Sequence, residues 1–157
     1  MTGTPISNYL LKIDLEPGNI TSPRISRTLS MPATSTFNEL HHAIQAAFEW
    51  DDSHTWEFTI WSTTKLSQNN SLRGHKLLNL ANYSIASREE ENSNDPRHIQ
   101  EDLQRLKTGQ SFGRHKIPKK EVRTTRLCEI LERSRYNGKL ISYLYDFGDN
   151  WWHFIYP

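Results

Sequence analysis

The strongest constraint on the fold of this chain is the unbroken β-prone, mainly apolar run Leu-Ile-Ser-Tyr-Leu-Tyr at positions 140–145. Such a strand carries apolar side chains on both of its faces, which is typical of the centre of a sheet that is covered on both sides. Residues 146–150, Asp-Phe-Gly-Asp-Asn, have the composition of a tight turn. Residues 151–156 are again β-prone, so the pattern predicts a hairpin. Successive side chains of its second strand point to opposite faces, and one face carries Trp151, His153 and Ile155.

Period-two patterns predict three further strands, from Tyr9 to Leu15, from Ile25 to Met31 and from Trp56 to Ile60. The segment between the second and third strands has the three- and four-residue spacing of a helix, with an apolar stripe of Phe37, Leu40, Ile44 and Phe48. Ser35 or Thr36 can cap its start, and Glu39 lies three residues after Thr36, as a capping box requires. A second, short helix is predicted from Leu127, Ile130 and Leu131, and it ends before the left-handed stop Asn137-Gly138.

The periodic pattern disappears between about residue 65 and residue 123, where Asn, Ser and charged residues dominate. We therefore predict one domain, 1–157, with a polar, partly mobile insertion at about 65–123. Four apolar residues help to anchor it: Leu77, Leu78, Leu80 and Ile85. The predicted order is β-β-α-β-(insertion)-α-β-β. The predicted class is α+β, a mostly antiparallel twisted sheet with two or three helices packed on one face.

Composition limits the class of protein further. A length of 157 residues fits one domain, and a net charge of +1 argues against a nucleic-acid or membrane field over the whole surface. Cys128 is the only cysteine, which excludes an internal disulfide and a cysteine-rich zinc site. Since neither a signal-peptide pattern nor a membrane-spanning apolar run is visible, we expect a cytoplasmic or nuclear location and no membrane partner.

Two segments of the sequence are recognisable. Residues 36–54 are similar to the pattern T-F-x-x-L-H-x-x-I-Q-x-x-F-x-W-x-x-x-H, and residues 143–153 to Y-x-Y-D-F-G-D-x-W-x-H. In both segments the chain resembles the plasmid pRiA4b ORF-3-like family. The chain departs from the family at Ser26-Arg27-Thr28, where members commonly carry Trp-Arg-Arg. Members also continue well past the hairpin, so the resemblance implies a short version of the family or an N-terminal piece.

The resemblance implies a domain associated with plasmids and mobile elements whose biochemical role is largely unassigned. The sequence shows no nucleophile signature, phosphate loop or cofactor fingerprint, so we predict no cofactor and favour a binding or interaction module for a protein or small-molecule partner. One alternative is a small biosynthetic enzyme with a His/Asp pocket. Fungal proteins that resemble the family imply that such an enzyme uses aminoacyl-tRNA to make a peptide-like product. A second alternative is a nucleic-acid-binding protein linked to mobile elements.

Polar residues of the two recognised segments are the candidates for a site. The pattern nominates as catalytic residues His41, His54, Asp146, Asp149 and His153. His and Asp can form an acid–base pair or ligate a metal, but these histidines lack a fixed short spacing and no metal is predicted. As ligand-binding residues we nominate Trp50, Asp51 and Trp151. The structural alternative is that the aspartates cap the turn and the tryptophans pack in the core.

A basic stretch at 114–126 is the candidate for contact with nucleic acid, through Lys119, Lys120 and Arg123. The alternative is an ordinary solvated surface. We further expect the two recognised segments to pack together, because the apolar stripe of the helix needs a sheet to cover. That packing would place a histidine of the first segment within about 8 Å of a polar residue of the second.

Overall fold

The computed structural model describes residues 7–16, 23–64, 66, 74–83 and 117–157. Seven strands and two helices lie in these ranges. In chain order they are β1 (Asn8–Glu16), β2 (Ser26–Pro32), α1 (Phe37–Ala47), β3 (Trp56–Trp61), β4 (Lys76–Ala81), β5 (Lys119–Glu121), α2 (Leu127–Leu131), β6 (Ile141–Tyr145) and β7 (Trp151–Tyr156).

The strands form one sheet in the order β2-β1-β7-β6-β3-β4-β5. Neighbouring strands are antiparallel except for the parallel pair of β4 and β5, so the sheet is mixed. Strand β6 lies at the centre, and all five of its residues are buried. The central position predicted from the apolar run at 140–145 is thereby confirmed.

The predicted α+β class, with two or three helices packed on one face of a mostly antiparallel sheet, is wrong. Within the described ranges the fold is β-rich, because a seven-stranded mixed sheet is accompanied by only two short helices of 11 and 5 residues. The predicted order lacked β4 and β5, which fall inside the span 65–123. Leu78 and Leu80 of β4 are fully buried, yet three leucines within four positions, 77–80, are too short a pattern to define a strand. The helix suggested by Ile99, Leu103 and Leu106 lies outside the described residues.

Helix α1 begins and packs as its sequence predicts. The Thr36 hydroxyl accepts a hydrogen bond from the Glu39 backbone N–H at 3.2 Å, and the Glu39 carboxylate accepts one from the Thr36 N–H at 2.7 Å, so the capping box is confirmed. The buried stripe of Phe37, Leu40 and Ile44 joins the main core with residues of β1, β3 and β6. The helix therefore rests on the sheet beside its central strand.

The hairpin of β6 and β7 has the predicted pairing, with Tyr143 opposite His153 and Tyr145 opposite Trp151. Trp151 and Ile155 pack in the core on the α1 side, whereas Trp152 and Phe154 belong to a smaller apolar cluster that includes Trp61. The alternation of the two faces is therefore confirmed. No helix in the described ranges is long and apolar enough to cross a bilayer.

Candidate functional site

The two recognised segments meet at one end of the β6–β7 hairpin. The His54 Nε2 atom lies 3.6 Å from a carboxylate oxygen of Asp146, and the His41 Nδ1 atom lies 2.8 Å from the Tyr143 hydroxyl. The expected proximity of the two segments is confirmed. The loop that follows α1 and the turn between β6 and β7 thus form one surface.

These two loops enclose an open cleft of about 320 Å³, which we call the acidic–aromatic cleft. Its size falls at the lower end of the range of about 300–1,000 Å³ that is usual for small-molecule sites. The lining residues are acidic, aromatic or imidazole side chains: Glu49, Trp50, Asp51, His54, Tyr145, Asp146, Asp149 and Trp151.

The apolar wall of the cleft is a contiguous group of three aromatic rings. The ring centroids of Trp50 and Trp151 are 5.4 Å apart with planes at 42°, and those of Trp50 and Tyr145 are 5.3 Å apart. Both indoles are partly exposed, whereas Tyr145 is buried behind them. One indole comes from each recognised segment, so neither segment forms this wall alone.

His153 holds the Trp50 indole in place from below. The indole Nε1–H donates to His153 Nε2 at 3.1 Å, and His153 Nδ1–H donates to the backbone carbonyls of Tyr143 and Trp151 at 3.2 and 3.0 Å. Since Nε2 accepts a hydrogen bond, the imidazole is neutral with its proton on Nδ1. Its side chain is fully buried, and burial lowers the pKa of His153 to about 4. His153 therefore lies beneath the cleft, not in it.

His41 is the second buried histidine, and both of its ring nitrogens are also hydrogen-bonded. The Tyr143 hydroxyl accepts from the Gln45 side-chain N–H at 2.8 Å, so its own proton goes to His41 Nδ1. His41 Nε2–H then donates to the Asp52 carboxylate at 2.8 Å. Burial lowers the pKa of His41 although the Asp52 carboxylate opposes this effect. The neutral imidazole is what this hydrogen-bond network requires.

The loop after α1 is tied both to the helix and to the sheet. Gln45 accepts a hydrogen bond from the Asp52 backbone N–H at 2.9 Å. The Tyr145 hydroxyl donates to the Asp51 carboxylate at 2.9 Å and accepts from the Ser53 N–H at 3.0 Å. Hydrogen bonds from Ser53 and Tyr145 hold the pKa of Asp51 below its usual value. The cleft is thus built on a loop with a fixed conformation.

Left-handed backbone conformations concentrate in the same two loops. Among the described residues, four that are not glycine have positive φ: Glu49 (58°), Asp52 (54°), Asp146 (61°) and Asn150 (58°). All of them line the cleft or directly adjoin a lining residue. Such residues cost free energy unless the surrounding structure fixes them, and they cluster at functional sites. The Gln45 contact described above holds Asp52, and a hydrogen bond from the Asn150 N–H to the Asp146 carbonyl at 2.6 Å closes the hairpin turn.

The carboxylates at the rim of the cleft differ in how far they are engaged. Asp146 Oδ1 accepts from the backbone N–H groups of Gly148 and Asp149 at 2.9 and 3.3 Å, as the structural alternative for this turn predicts. Its other oxygen faces His54. Within the described ranges, the carboxylates of Glu49 and Asp149 form neither an ion pair nor a hydrogen bond.

The structure separates the nominated residues into two groups. Six of them line the acidic–aromatic cleft, namely Trp50, Asp51, His54, Asp146, Asp149 and Trp151. His41 and His153 are buried below it, 1% and 0% exposed. Sequence reasoning missed Tyr145 and Glu49 as lining residues. The tyrosines at 143 and 145 share a strand face beside the turn, and that spacing was the available signal for Tyr145.

One group of side chains has the geometry of a partial metal site. The donor atoms of His41, His42 and Asp52 lie within 4.8 Å of one another. The group supplies three ligands, and His41 Nε2 already donates its proton to Asp52. A metal there would have to displace that proton and break the hydrogen bond.

The nominated basic residues lie on β5 and the turn that follows it. Lys119 and Lys120 are adjacent in the strand, so their side chains point to opposite sides of the sheet. The Lys119 ammonium lies 5.4 Å from the centre of the Tyr83 ring, and Arg123 pairs with Glu121 at 3.4 Å. The remainder of the basic stretch, up to residue 116, lies outside the described residues.

Comparison with known proteins agrees with the motifs. The profile of the family described as "Plasmid pRiA4b ORF-3-like protein" matches residues 7–156. The chain belongs to this family. A comparison with curated proteins found no match. Among solved structures, this pRiA4b ORF-3-like domain is similar to a protein of unknown function from Methanosarcina mazei Go1, with a TM-score of 0.54 and 23% sequence identity. The match covers 94% of this chain and 57% of that chain, and at this identity it supports the fold alone.

Proposed function

We propose that this domain is a binding module whose ligand occupies the acidic–aromatic cleft. The observation that carries the proposal is the joint wall of Trp50 and Trp151, two partly exposed indoles supplied by different segments. Large aromatic side chains at a concave surface, together with a few polar groups, are the usual form of a small-molecule or peptide site. The cytoplasmic location expected from the sequence is part of this proposal.

The hydrogen bonds beneath the cleft support binding in preference to catalysis. His41 and His153 were nominated as catalytic residues, but each has both ring nitrogens engaged within the protein. Their neutral rings position Asp52 and Trp50, which line or flank the cleft. A site that is fixed before the ligand arrives loses less conformational entropy on binding.

NMR spectroscopy of the ¹⁵N-labelled protein with a chemically mixed fragment library tests the proposal. We expect binders to shift the indole N–H resonances of Trp50 and Trp151 more than those of the other tryptophans. Trp151→Leu should remove most of this binding, whereas the matched control Trp152→Leu changes the opposite face of the same strand. A library that yields no cleft binder, or binders unaffected by Trp151→Leu, would contradict the proposal.

A small enzyme with a His/Asp pocket is the second candidate, and one observation favours it. His54 Nε2 lies 3.6 Å from the Asp146 carboxylate, at the edge of the cleft, and His54 is about half exposed. This is the only nominated histidine that a ligand in the described cleft could contact. An enzyme using this pair would lose its turnover in His54→Asn while keeping ligand affinity, whereas a binding module would show no turnover to lose.

A further inference from the structure

The acidic–aromatic cleft has a charge that differs from that of the whole protein. Four carboxyl side chains line it, and no lysine or arginine of the described ranges does, so its formal charge is −4 with His54 neutral. The chain as a whole carries +1. An anionic ligand would be repelled by such a site, and a neutral ligand would make no use of the unpaired carboxylates of Glu49 and Asp149.

No lysine or arginine of the described ranges lies over an aromatic face of the cleft. Four cation–π contacts occur in the described part of the chain, and they cover the rings of Phe48, Trp61, Tyr83 and Tyr136. None of them involves Trp50, Tyr145 or Trp151. Within the described residues, the lysines and arginines in cation–π contacts therefore lie over other rings, and the partly exposed indoles of Trp50 and Trp151 remain accessible to an outside partner.

From these two observations we infer that the cleft binds an organic cation, an alkylammonium or alkylguanidinium group whose apolar part lies on the indoles. A cation over the face of Trp is attracted by the negative face of the ring, and Trp is the strongest aromatic partner for this contact. Carboxylates at the rim would accept hydrogen bonds from the N–H groups of the same cation, and such bonds are stronger when both partners are charged. The inference rests on the proposed function, since it assigns a ligand class to the same cleft.

The indole faces and the rim carboxylates are placed so that one cationic group can contact both. Trp50 is held by His153, and Asp51 is held by Tyr145 and Ser53, so wall and rim are both fixed. Glu49 follows the helix and Asp149 lies in the hairpin turn, so the unpaired carboxylates come from both loops. A cation that enters the cleft would therefore contact both recognised segments at once.

The test uses three probes of similar size and different charge: n-butylammonium, n-butanol and n-butyrate. Titrated into the full ¹⁵N-labelled chain at low ionic strength, n-butylammonium should shift the Trp50 and Trp151 indole signals with a Kd at least about 10-fold lower than those of the other two. A tripeptide with a central lysine then distinguishes two sources of the cation. Tighter binding of the tripeptide identifies a basic protein segment, and equal binding identifies a free amine.

The double variant Glu49→Gln, Asp149→Asn supplies the decisive comparison, because both residues are exposed and their loss should not unfold the domain. It should weaken n-butylammonium about 10-fold or more and leave n-butanol unchanged. Glu129→Gln, an exposed change on α2, is the matched control and should have no effect. If n-butanol or n-butyrate binds as tightly as n-butylammonium, or if the double variant binds like the parent, the inference is wrong and the binding-module proposal survives. If no probe or library compound shifts the indoles, both fail.

Discussion

The recognised segments contribute to two regions that differ in depth and in role. The buried polar layer consists of His41, Gln45, Tyr143 and His153, each at most 5% exposed and hydrogen-bonded within the protein. The cleft rim consists of Glu49, Asp51, His54 and Asp149, which are all exposed. Histidines and acidic or amide side chains occur in both regions. A motif residue of chemically versatile type is therefore a candidate for function only when its polar atoms remain available.

Substitutions in the buried face of α1, which supports the buried polar layer, should cause the largest loss of stability. Leu40→Ala or Ile44→Ala should cost about 2–5 kcal/mol, because each removes a buried side chain from the core shared by α1 and the sheet. Urea unfolding measures the change. Glu49→Gln at the rim is the control and should stay within about 0.5 kcal/mol. A cost below about 1 kcal/mol for both core variants would show that α1 does not support the layer.

Acid should destabilise the buried polar layer through its two histidines. Below its ordinary pKa of 6.5, the His153 imidazole of the unfolded chain binds a proton that the buried imidazole, with a pKa of about 4, does not bind. Above pH 6.5 neither state binds this proton, so His153 does not affect stability there. As the pH drops towards 4, proton uptake by the unfolded chain lowers the free energy of unfolding by about 3 kcal/mol. Buried His41 acts in the same direction.

Urea unfolding at pH 7 and pH 4 measures this dependence. His153→Gln should be less stable at pH 7 but should lose less stability on acidification. His42→Asn, which removes an exposed imidazole beside His41, should keep the full dependence. A His153→Gln protein with an unchanged difference between the two pH values would contradict the neutral, buried state of His153.

The tyrosines of β6 allow a finer comparison, because they are two residues apart on one strand face. Tyr143→Phe leaves His41 Nδ1 and the Gln45 amide without a partner in a dry environment and should cost about 1–3 kcal/mol. Tyr145→Phe should cost less than about 1 kcal/mol, since water can replace its hydroxyl at the exposed Asp51 and Ser53. Equal costs, measured by thermal or urea unfolding, would remove the distinction between layer and rim.

The smallest effect is expected at the basic residues of β5 and the turn after it, which belong to neither the buried polar layer nor the cleft rim. Neutralising Lys119, Lys120 and Arg123 together should change the log–log salt slope of DNA binding by less than about 1, because Lys119 and Arg123 have partners within the protein. Heparin retention or a salt titration measures it. A decrease near 0.9 for each residue would establish β5 as the nucleic-acid interface that the sequence nominates.

Local signals explain why much of this domain was predictable. The capping box of Thr36 and Glu39, the stripe of α1 and the hairpin turn at 146–150 each arise from residues within one element or one turn. The apolar run at 140–145 required burial on both faces and therefore predicted the centre of the sheet. These features do not depend on the position of distant residues, and the structure confirms them.

The span 65–123 shows where local patterns fail. Strand β4 pairs with β3, and β5 then pairs in parallel with β4, with Asn79 opposite Lys119. A parallel pair joins residues that are far apart in sequence, and a three-residue strand has no periodicity to detect. The lack of periodicity predicts that the domain folds without residues 66–113, but this deletion would remove β4 with the fully buried Leu78 and Leu80.

The sequence by itself determined which residues form α1, the β6–β7 hairpin and the two recognised segments, and it indicated that these segments share a site. Only the tertiary structure decided which of the nominated side chains face outward. His153 and Trp151 share a strand face, but Trp50 folds over His153 and leaves part of the Trp151 ring exposed in the cleft. Depth below a surface depends on what packs above each residue, and that cover comes from a loop about 100 residues away in the chain.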